Sequence, residues 1–293
     1  MTSPRVLTVG TDGSPESLHA ADWAAREALR RGLPLRLVHA DATQRPAPRA
    51  PWDVDLPSRG VLDRAALHLS YSFPELEILA RRRPPPPITA LLDVAQESEF
   101  LVLGSRGFSG YSGFLVGSVA LAVTARSLCP VVLVRAGGLP LDERTSDGSG
   151  FRPVVVGLDV TGPADELLSY AFEAAAVRGA PLHAVHAWTV PPLRAPLTGG
   201  PPTGDRLPGD AARRESERRR ALSGAVRAWR GKYPDVPVVE RLLYGQPGHH
   251  LLKASTNASL TVVGRRCDTN RLGGTTHSVV HHVTSPVAVV PHP

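Results

Sequence analysis

Apolar residues run along this chain in short blocks, each closed by glycine, proline or a polar turn. Residues 6–9 are apolar or β-branched and end at Gly10, as a strand buried on both faces would. Ser14-Pro15 then opens a segment in which Leu18, Ala21, Ala25, Ala28 and Leu29 recur at helical spacing. Serine caps free amides, and proline is tolerated at the first helical position because its missing N–H would have no partner there. Gly32 closes this helix, Pro34 blocks its continuation, and residues 35–40 read as a second strand. Residues 44–59 are polar and proline-rich and read as loop, 62–69 as helix and 76–79 as a third strand. Residues 81–87 form an arginine and proline tract that cannot be regular helix. Beyond it the pattern gives helix at 88–96, strand at 100–103, helix at 119–128 and strand at 131–135. Strands alternating with helices predict an α/β fold, a parallel sheet covered on both faces. Ligands of such sheets bind beyond the carboxyl ends of the strands. Asp12 and Gly104 both lie just past strand ends, which makes them candidates to face one site.

The whole pattern then recurs. VLTVGTD from Val6 to Asp12 returns as PVVVGLD from Pro153 to Asp159, an offset of 147. RGLP at 31–34 and LVHA at 37–40 return as RGAP at 178–181 and AVHA at 184–187, at the same offset. LVLGSR at 101–106 matches TVVGRR at 261–266, and CPVVLV at 129–134 matches SPVAVV at 285–290, at offsets of 160 and 156. The second copy therefore gains residues in its middle and loses four near its end. We read a first domain at 1–136, a flexible Gly/Ser-rich linker at 137–150 and a second domain at 151–293.

Composition narrows the class. At 293 residues with 42% apolar content the chain can bury real cores. No run of 18 apolar residues appears and the first residues lack the pattern of a signal peptide, so a cytoplasmic protein with no membrane partner is expected. Net charge is +6, carried by arginine, with Lys232 and Lys253 the only lysines. The run from Arg213 to Arg220 is interleaved with Glu215 and Glu217, which favours a solvated helix face over a nucleic-acid surface. Cys129 and Cys267 make neither a disulfide framework nor a C-x-x-C pair.

The most informative segment is GSRGFSGYSGFLVGS, from Gly104 to Ser118, with the spacing G-x2-G-x9-G-S between a strand and a helix. Glycines let a backbone approach phosphate closely, successive amides form an anion-binding concavity, and a helix start adds free donors. A glycine-rich stretch alone equally describes a flexible surface loop. Here it lies in a repeat whose first strand ends in Gly-Thr-Asp, and that combination resembles the universal stress protein family. That family carries V-G-x-D-x-S at its first strand, G-x2-G-x9-G-[S/T] after its fourth, then a helix and a C-P-V-x-x-V strand. Both repeats match this layout nearly end to end.

The resemblance implies two tandem five-stranded parallel-sheet sandwiches of the Rossmann-like, adenine nucleotide alpha hydrolase-like type. It also implies bound ATP with Mg2+ on the phosphates. Carried over, Thr11 and Asp12 meet the adenosine end, with Asp12 at a ribose hydroxyl, and Ala40 lines the adenine pocket. Gly104, Gly107, Gly117, Ser118 and Val119 wrap the phosphates, and Arg106 adds charge. The family often has a hydroxyl where this chain has Ala120, a loss of one contact worth about 1 kcal/mol.

Repeat two departs further. Asp159, Ala187 and Gly264 remain, but Cys267 replaces the second glycine, where its side chain is expected to obstruct close approach. Gly273, Gly274, Thr275 and Thr276 take the place of G-S-x-x in a loop four residues shorter. A smaller nucleotide, or none, is expected there, with repeat two a structural partner of repeat one.

The histidines His277, His281 and His282, His249 and His250, and the matched His39 and His186, read as packing residues rather than metal ligands. Cys267, beside Arg265 and Arg266, admits redox sensing as a minor alternative. No triad, zinc spacing or Walker lysine is present, and no base to activate water is identifiable, so a catalytic role is not expected. The reading is an ATP-binding regulatory or sensor protein of the stress response. An interaction scaffold with a vestigial nucleotide site, binding an unknown protein partner, is the alternative. The resemblance also implies pairing through the last strand, 131–134 and 287–290 here, which the two repeats are expected to satisfy within the chain as a pseudo-dimer, and a homodimer of such chains is left open.

Overall fold

The computed structural model of the chain describes residues 5–40, 56–83, 86–105, 108–109, 113–114, 116–137, 143–189 and 208–293. Repeat one runs β1 (Leu7–Gly10), α1 (Pro15–Arg31), β2 (Leu35–Ala40), α2 (Leu56–Ser72), β3 (Ile78–Arg83), α3 (Pro87–Ala95) and β4 (Phe100–Ser105). A two-stranded ribbon, β5 (Phe108–Ser109) and β6 (Gly113–Phe114), precedes α4 (Ser118–Thr124) and β7 (Val131–Arg135). Repeat two runs β8 (Val154–Gly157), α5 (Asp165–Arg178), β9 (Leu182–Trp188), α6 (Pro208–Lys232) and β10 (Val238–Tyr244). It ends with α7 (Pro247–Ser255), β11 (Leu260–Arg266), α8 (Gly274–His282) and β12 (Val287–His292).

Each repeat is a five-stranded parallel sheet, ordered β3-β2-β1-β4-β7 in the first and β10-β9-β8-β11-β12 in the second. Alternate residues feed two cores. Phe100 and Val102 of β4 face the layer of α1, α2, α5 and α6, while Leu101 and Leu103 face that of α3, α4, α7 and α8. This double burial is why the strands read as unbroken apolar runs.

Several boundaries differ from the sequence pattern. The stretch 44–59 was expected to be loop, yet α2 already begins at Leu56; residues 41–55 lie outside the described residues. The third strand takes in Arg81, Arg82 and Arg83, which sit on the sheet edge, where charged side chains reach solvent and discourage pairing with another chain. Helix α3 begins at Pro87, the last residue of the proline tract, because proline fits a first turn. Helix α4 stops at Thr124, four residues short of its predicted end. Residues 143–150, read as flexible linker, instead form a turn closed by the Thr145 amide on the Gly150 carbonyl, at 3.0 Å. Glu143 at its start is buried and meets Arg30 at 3.3 Å. The arginine run on α6 is a solvated face, with Arg213–Glu217 and Arg219–Glu215 pairs one turn apart.

The two sheets join into one of ten strands where β7 and β12 pair antiparallel, Val287 opposite Leu133, Ala288 opposite Val132 and Val289 opposite Val131. Above this ladder α1 lies near α5, and a carboxylate is buried between them. Glu27 is fully buried and takes Arg178 Nη2 at 2.7 Å, Arg31 Nε at 2.8 Å and Arg30 Nη1 at 3.0 Å. Arg31 and Arg178 occupy equivalent positions in the two repeats, whereas the counterpart of Glu27 is Ala174. Two pseudo-symmetric cations therefore converge on one acid. Burial opposes the Glu27 charge, but Arg178, Arg31 and Arg30 outweigh it and hold the carboxyl at about 2.

Removing one partner of such a pair leaves buried charge uncompensated. Glu27→Gln is expected to lower the unfolding free energy by about 3–5 kcal/mol in urea titrations. Because the folded value lies below the ordinary 4.5, the Glu27 contribution is complete above that pH and fades as the pH falls toward 2. The gap between wild type and Glu27→Gln should narrow over that window.

Candidate functional site

The carboxyl ends of β1, β2 and β4 in repeat one open into a cavity of about 600 Å³. Thr11, Asp12, Ser14, Glu16 and Ser17 enter from the β1–α1 turn, Val38 and Ala40 from β2, and Leu103 and Gly104 from β4. Pro87 and Leu91 of α3 close one side, and Gly117 to Ala120 the other. Ser14 caps α1 by accepting the Ser17 amide at 3.2 Å. The Asp12 carboxylate accepts the Ser14 amide at 3.0 Å and its hydroxyl at 2.5 Å. Burial pushes the Asp12 carboxyl up, but these donors prevail and keep it below the usual aspartate range. Asp12 is thus an ionised acceptor fixed at the mouth. Thr11 is buried, its hydroxyl 3.2 Å from that of Ser17, and its carbonyl takes the His39 ring nitrogen at 2.7 Å.

Of the residues singled out in repeat one, Thr11, Asp12, Ala40, Gly104, Gly117, Ser118 and Val119 line this one cavity. Arg106 and Gly107 lie outside the described residues. Glu16, Ser17, Val38, Leu91 and Leu103 were not anticipated. Helical phase from the Ser14 cap could have found the first two, and strand alternation Val38 and Leu103. Helix α4 has only seven residues and no side-chain cap at Gly117, so the amides of its first turn lack helical partners.

Repeat two has the corresponding cavity, of about 430 Å³. Asp159, Ala187, Gly264, Gly273, Thr275 and Thr276 line it, and Gly274 opens α8 between them. Burial pushes the Asp159 carboxyl up, but the Thr161 hydroxyl and amide reverse this and hold it low. The wall here also carries Arg265, Arg266, Arg271, His186 and His292. The side chain of Cys267 does not narrow the cavity: Cys267 is exposed, and its amide is tied to the His292 carbonyl at 2.8 Å. The His292 ring lines it instead, its Nε2 2.7 Å from where a β-carbon on Gly264 would sit. The Thr276 hydroxyl, equivalent to the one missing at Ala120, donates to the Gly264 carbonyl at 2.7 Å.

Comparison with known proteins places this geometry. The profile of the Universal stress protein family matches residues 4–135 and again 150–291. The chain belongs to the universal stress protein family. Universal stress protein Rv2005c of Mycobacterium tuberculosis is 30% identical over 307 residues, covering 99% of both chains. Universal stress protein Rv2623 of the same organism is 29% identical, covering 89% of this chain and 86% of its own. Among solved structures, a universal stress protein from Archaeoglobus fulgidus superposes over 98% of both chains with a TM-score of 0.65 at 19% identity, a likeness of fold. Among the described residues, no helix is long and apolar enough to cross a membrane.

In this universal stress protein the other singled-out residues serve local structure. His186 repeats the His39 contact, its ring nitrogen on the Leu158 carbonyl at 2.8 Å. His250 meets the Tyr244 carbonyl at 2.9 Å, and His282 the Ser278 carbonyl at 2.8 Å. The His277 and His281 ring centroids lie 4.4 Å apart with the planes tilted by 39°, and no cluster of three metal-ligating side chains occurs among the described residues. Cys129 is buried, and burial pushes its thiol up.

Gly104, in β4, and Gly117, before α4, differ in kind. A β-carbon on Gly104 would lie 2.6 Å from the Glu16 carbonyl oxygen, a backbone atom that cannot yield without moving the start of α1. On Gly117 it would meet nothing within 4 Å. Gly104→Ala should therefore cost about 1–3 kcal/mol in urea unfolding, whereas Gly117→Ala should stay within about 0.5 kcal/mol of wild type.

Proposed function

We propose that repeat one binds an adenine nucleotide, ATP with Mg2+, and that the protein acts as a nucleotide-responsive regulator of the stress response rather than through turnover. The observation that carries this reading is the convergence of Thr11, Asp12, Ala40, Gly104, Gly117, Ser118 and Val119 on one cavity. Its inner wall is apolar at Val38, Leu91 and Leu103, which suits a purine, and its size is within the range of nucleotide-sized pockets. Asp12 is held ionised at the mouth, where it can accept ribose hydroxyls. The described wall carries two carboxylates, Asp12 and Glu16, and no cationic side chain. Phosphate charge would be met by backbone amides, by the divalent cation travelling with ATP and by Arg106. The domains we assign to this function are 1–136 and 151–293.

For repeat two we propose a smaller nucleotide or none. Its cavity is smaller, the His292 ring overlies Gly264, and the Thr276 hydroxyl is engaged. The scaffold reading draws on α2, where Leu67 and Tyr71 stand 72% and 91% exposed.

The test is identification of nucleotide released on denaturation, by mass spectrometry, with calorimetric titration of Mg-ATP into wild type and Gly117→Val. A valine at 117 meets no protein atom through its β-carbon, so the fold should survive while its methyl groups enter the cavity. One ATP per chain is expected, weakened at least about tenfold in the variant, roughly 1.4 kcal/mol or more. Two ATP per chain would assign a working site to repeat two. A folded protein with neither released nucleotide nor heat would overturn the nucleotide reading in favour of the scaffold.

A further inference from the structure

A third cavity, of about 220 Å³, lies at the junction of the two repeats and shares no residue with either nucleotide-type cavity. Repeat one supplies His19, Trp23 and Arg26 from α1 and Val134 and Arg135 from β7. Glu143 and Arg152 come from the connecting segment, and Thr256, Ala258, Thr284, Ser285 and Pro286 from repeat two. Neither repeat alone encloses it.

Its wall is rich in donors and poor in acceptors. Three guanidinium groups stand against one carboxylate, and that carboxylate, Glu143, is already approached by Arg30 at 3.3 Å. Arg135 is committed elsewhere: it reaches Ser105 Oγ at 3.1 Å and the carbonyls of Val283 and Val280. Two donors stand out. Trp23 is 2% exposed, and its indole Nε1 has no hydrogen-bond partner. Arg26 Nε is likewise buried and unpartnered. Burial pushes the Arg26 guanidinium down despite the pull of Glu143. Two unpaired buried N–H groups on residues that line one small cavity are costly, and an acceptor-rich, negatively charged group reached by a small side-chain adjustment would satisfy both. The volume suits a group much smaller than a nucleotide.

We propose that this junction cavity binds a small multivalent anion, of the size of inorganic phosphate or a four-carbon dicarboxylate, through the Trp23 indole N–H and the guanidinium groups of Arg26 and Arg152. The site does not rest on the nucleotide reading of repeat one. It is lined by both repeats and by the segment between them, so its occupancy would stabilise their contact.

The test uses the full chain labelled with 15N, and reads the indole N–H resonance of Trp23, assigned by its disappearance in Trp23→Phe. Potassium phosphate and sodium succinate are titrated separately at constant ionic strength. A saturable shift of that resonance with at least one of them is expected, and which one responds identifies the anion. Its midpoint should rise at least about tenfold in Arg26→Met and in Arg152→Met, as the loss of a charged hydrogen bond requires. The second variant keeps the test decisive if the first fails to fold. The shift should persist in Gly117→Val, where the nucleotide cavity is blocked. The proposal is overturned if neither anion gives a saturable shift up to about 20 mM, a concentration well above millimolar dissociation constants. It is equally overturned if folded arginine variants shift as wild type does, or if Gly117→Val abolishes the response.

Discussion

The antiparallel ladder between β7 and β12 joins the two repeats into one sheet, and the other contacts between them lie on either face of it. It brings two sheet edges together, so that neither presents unpaired backbone groups to solvent. Once the ladder forms, pseudo-twofold symmetry places α1 beside α5 and lowers the Glu27 carboxylate onto Arg31 and Arg178. On the other face it lets each repeat hold the other's loop. Arg265 of β11 donates to the Ser127 carbonyl, and Arg135 of β7 donates to the Val283 carbonyl. Ser127 and Val283 are equivalent positions, although the two arginines are not. Burial lowers the Arg135 guanidinium to about 10, still charged at neutral pH. The junction is thus polar and ionic where helices meet and apolar along the strands.

The same duplication that builds the junction has left two unlike cavities. Both open at strand carboxyl ends beside an aspartate held low by a neighbouring hydroxyl and amide. Both keep an open glycine before the last helix, Gly117 and Gly273, but the wall in repeat one is without described cations. Repeat two has arginines, a histidine over Gly264 and a threonine hydroxyl turned onto the chain's own carbonyl. That last contact recasts Ala120. The hydroxyl at its equivalent position is occupied by backbone, so an alanine there does not simply subtract a ligand contact.

Much of the fold was legible in the sequence because its signals are local. Apolar runs ended by Gly10 and Gly157, helix stops at Gly32 and Gly179 and the offsets between repeats all follow from backbone rules that act over a few residues. The expected pairing of the last strands within the chain is what the sheet shows. Errors fell where context overrode local preference. Arginines joined β3 because an edge strand tolerates them, and Glu143 was drawn from a polar linker into a buried ion pair. Nothing nearby in sequence distinguishes Glu143 from its neighbours, because its partner Arg30 is more than a hundred residues away.

By itself the sequence determined the duplicated α/β architecture, the strand ends at which a ligand could sit, and the glycines that keep those ends open. Each depends on backbone conformation, and glycine, proline and apolar periodicity encode that directly. Only the tertiary structure decided which side chains share a cavity, where His292 comes to rest over Gly264, and that Trp23 and Arg26 meet residues of the second repeat. These are juxtapositions of residues far apart in the chain, fixed when sheets and helices pack, and no local pattern carries them.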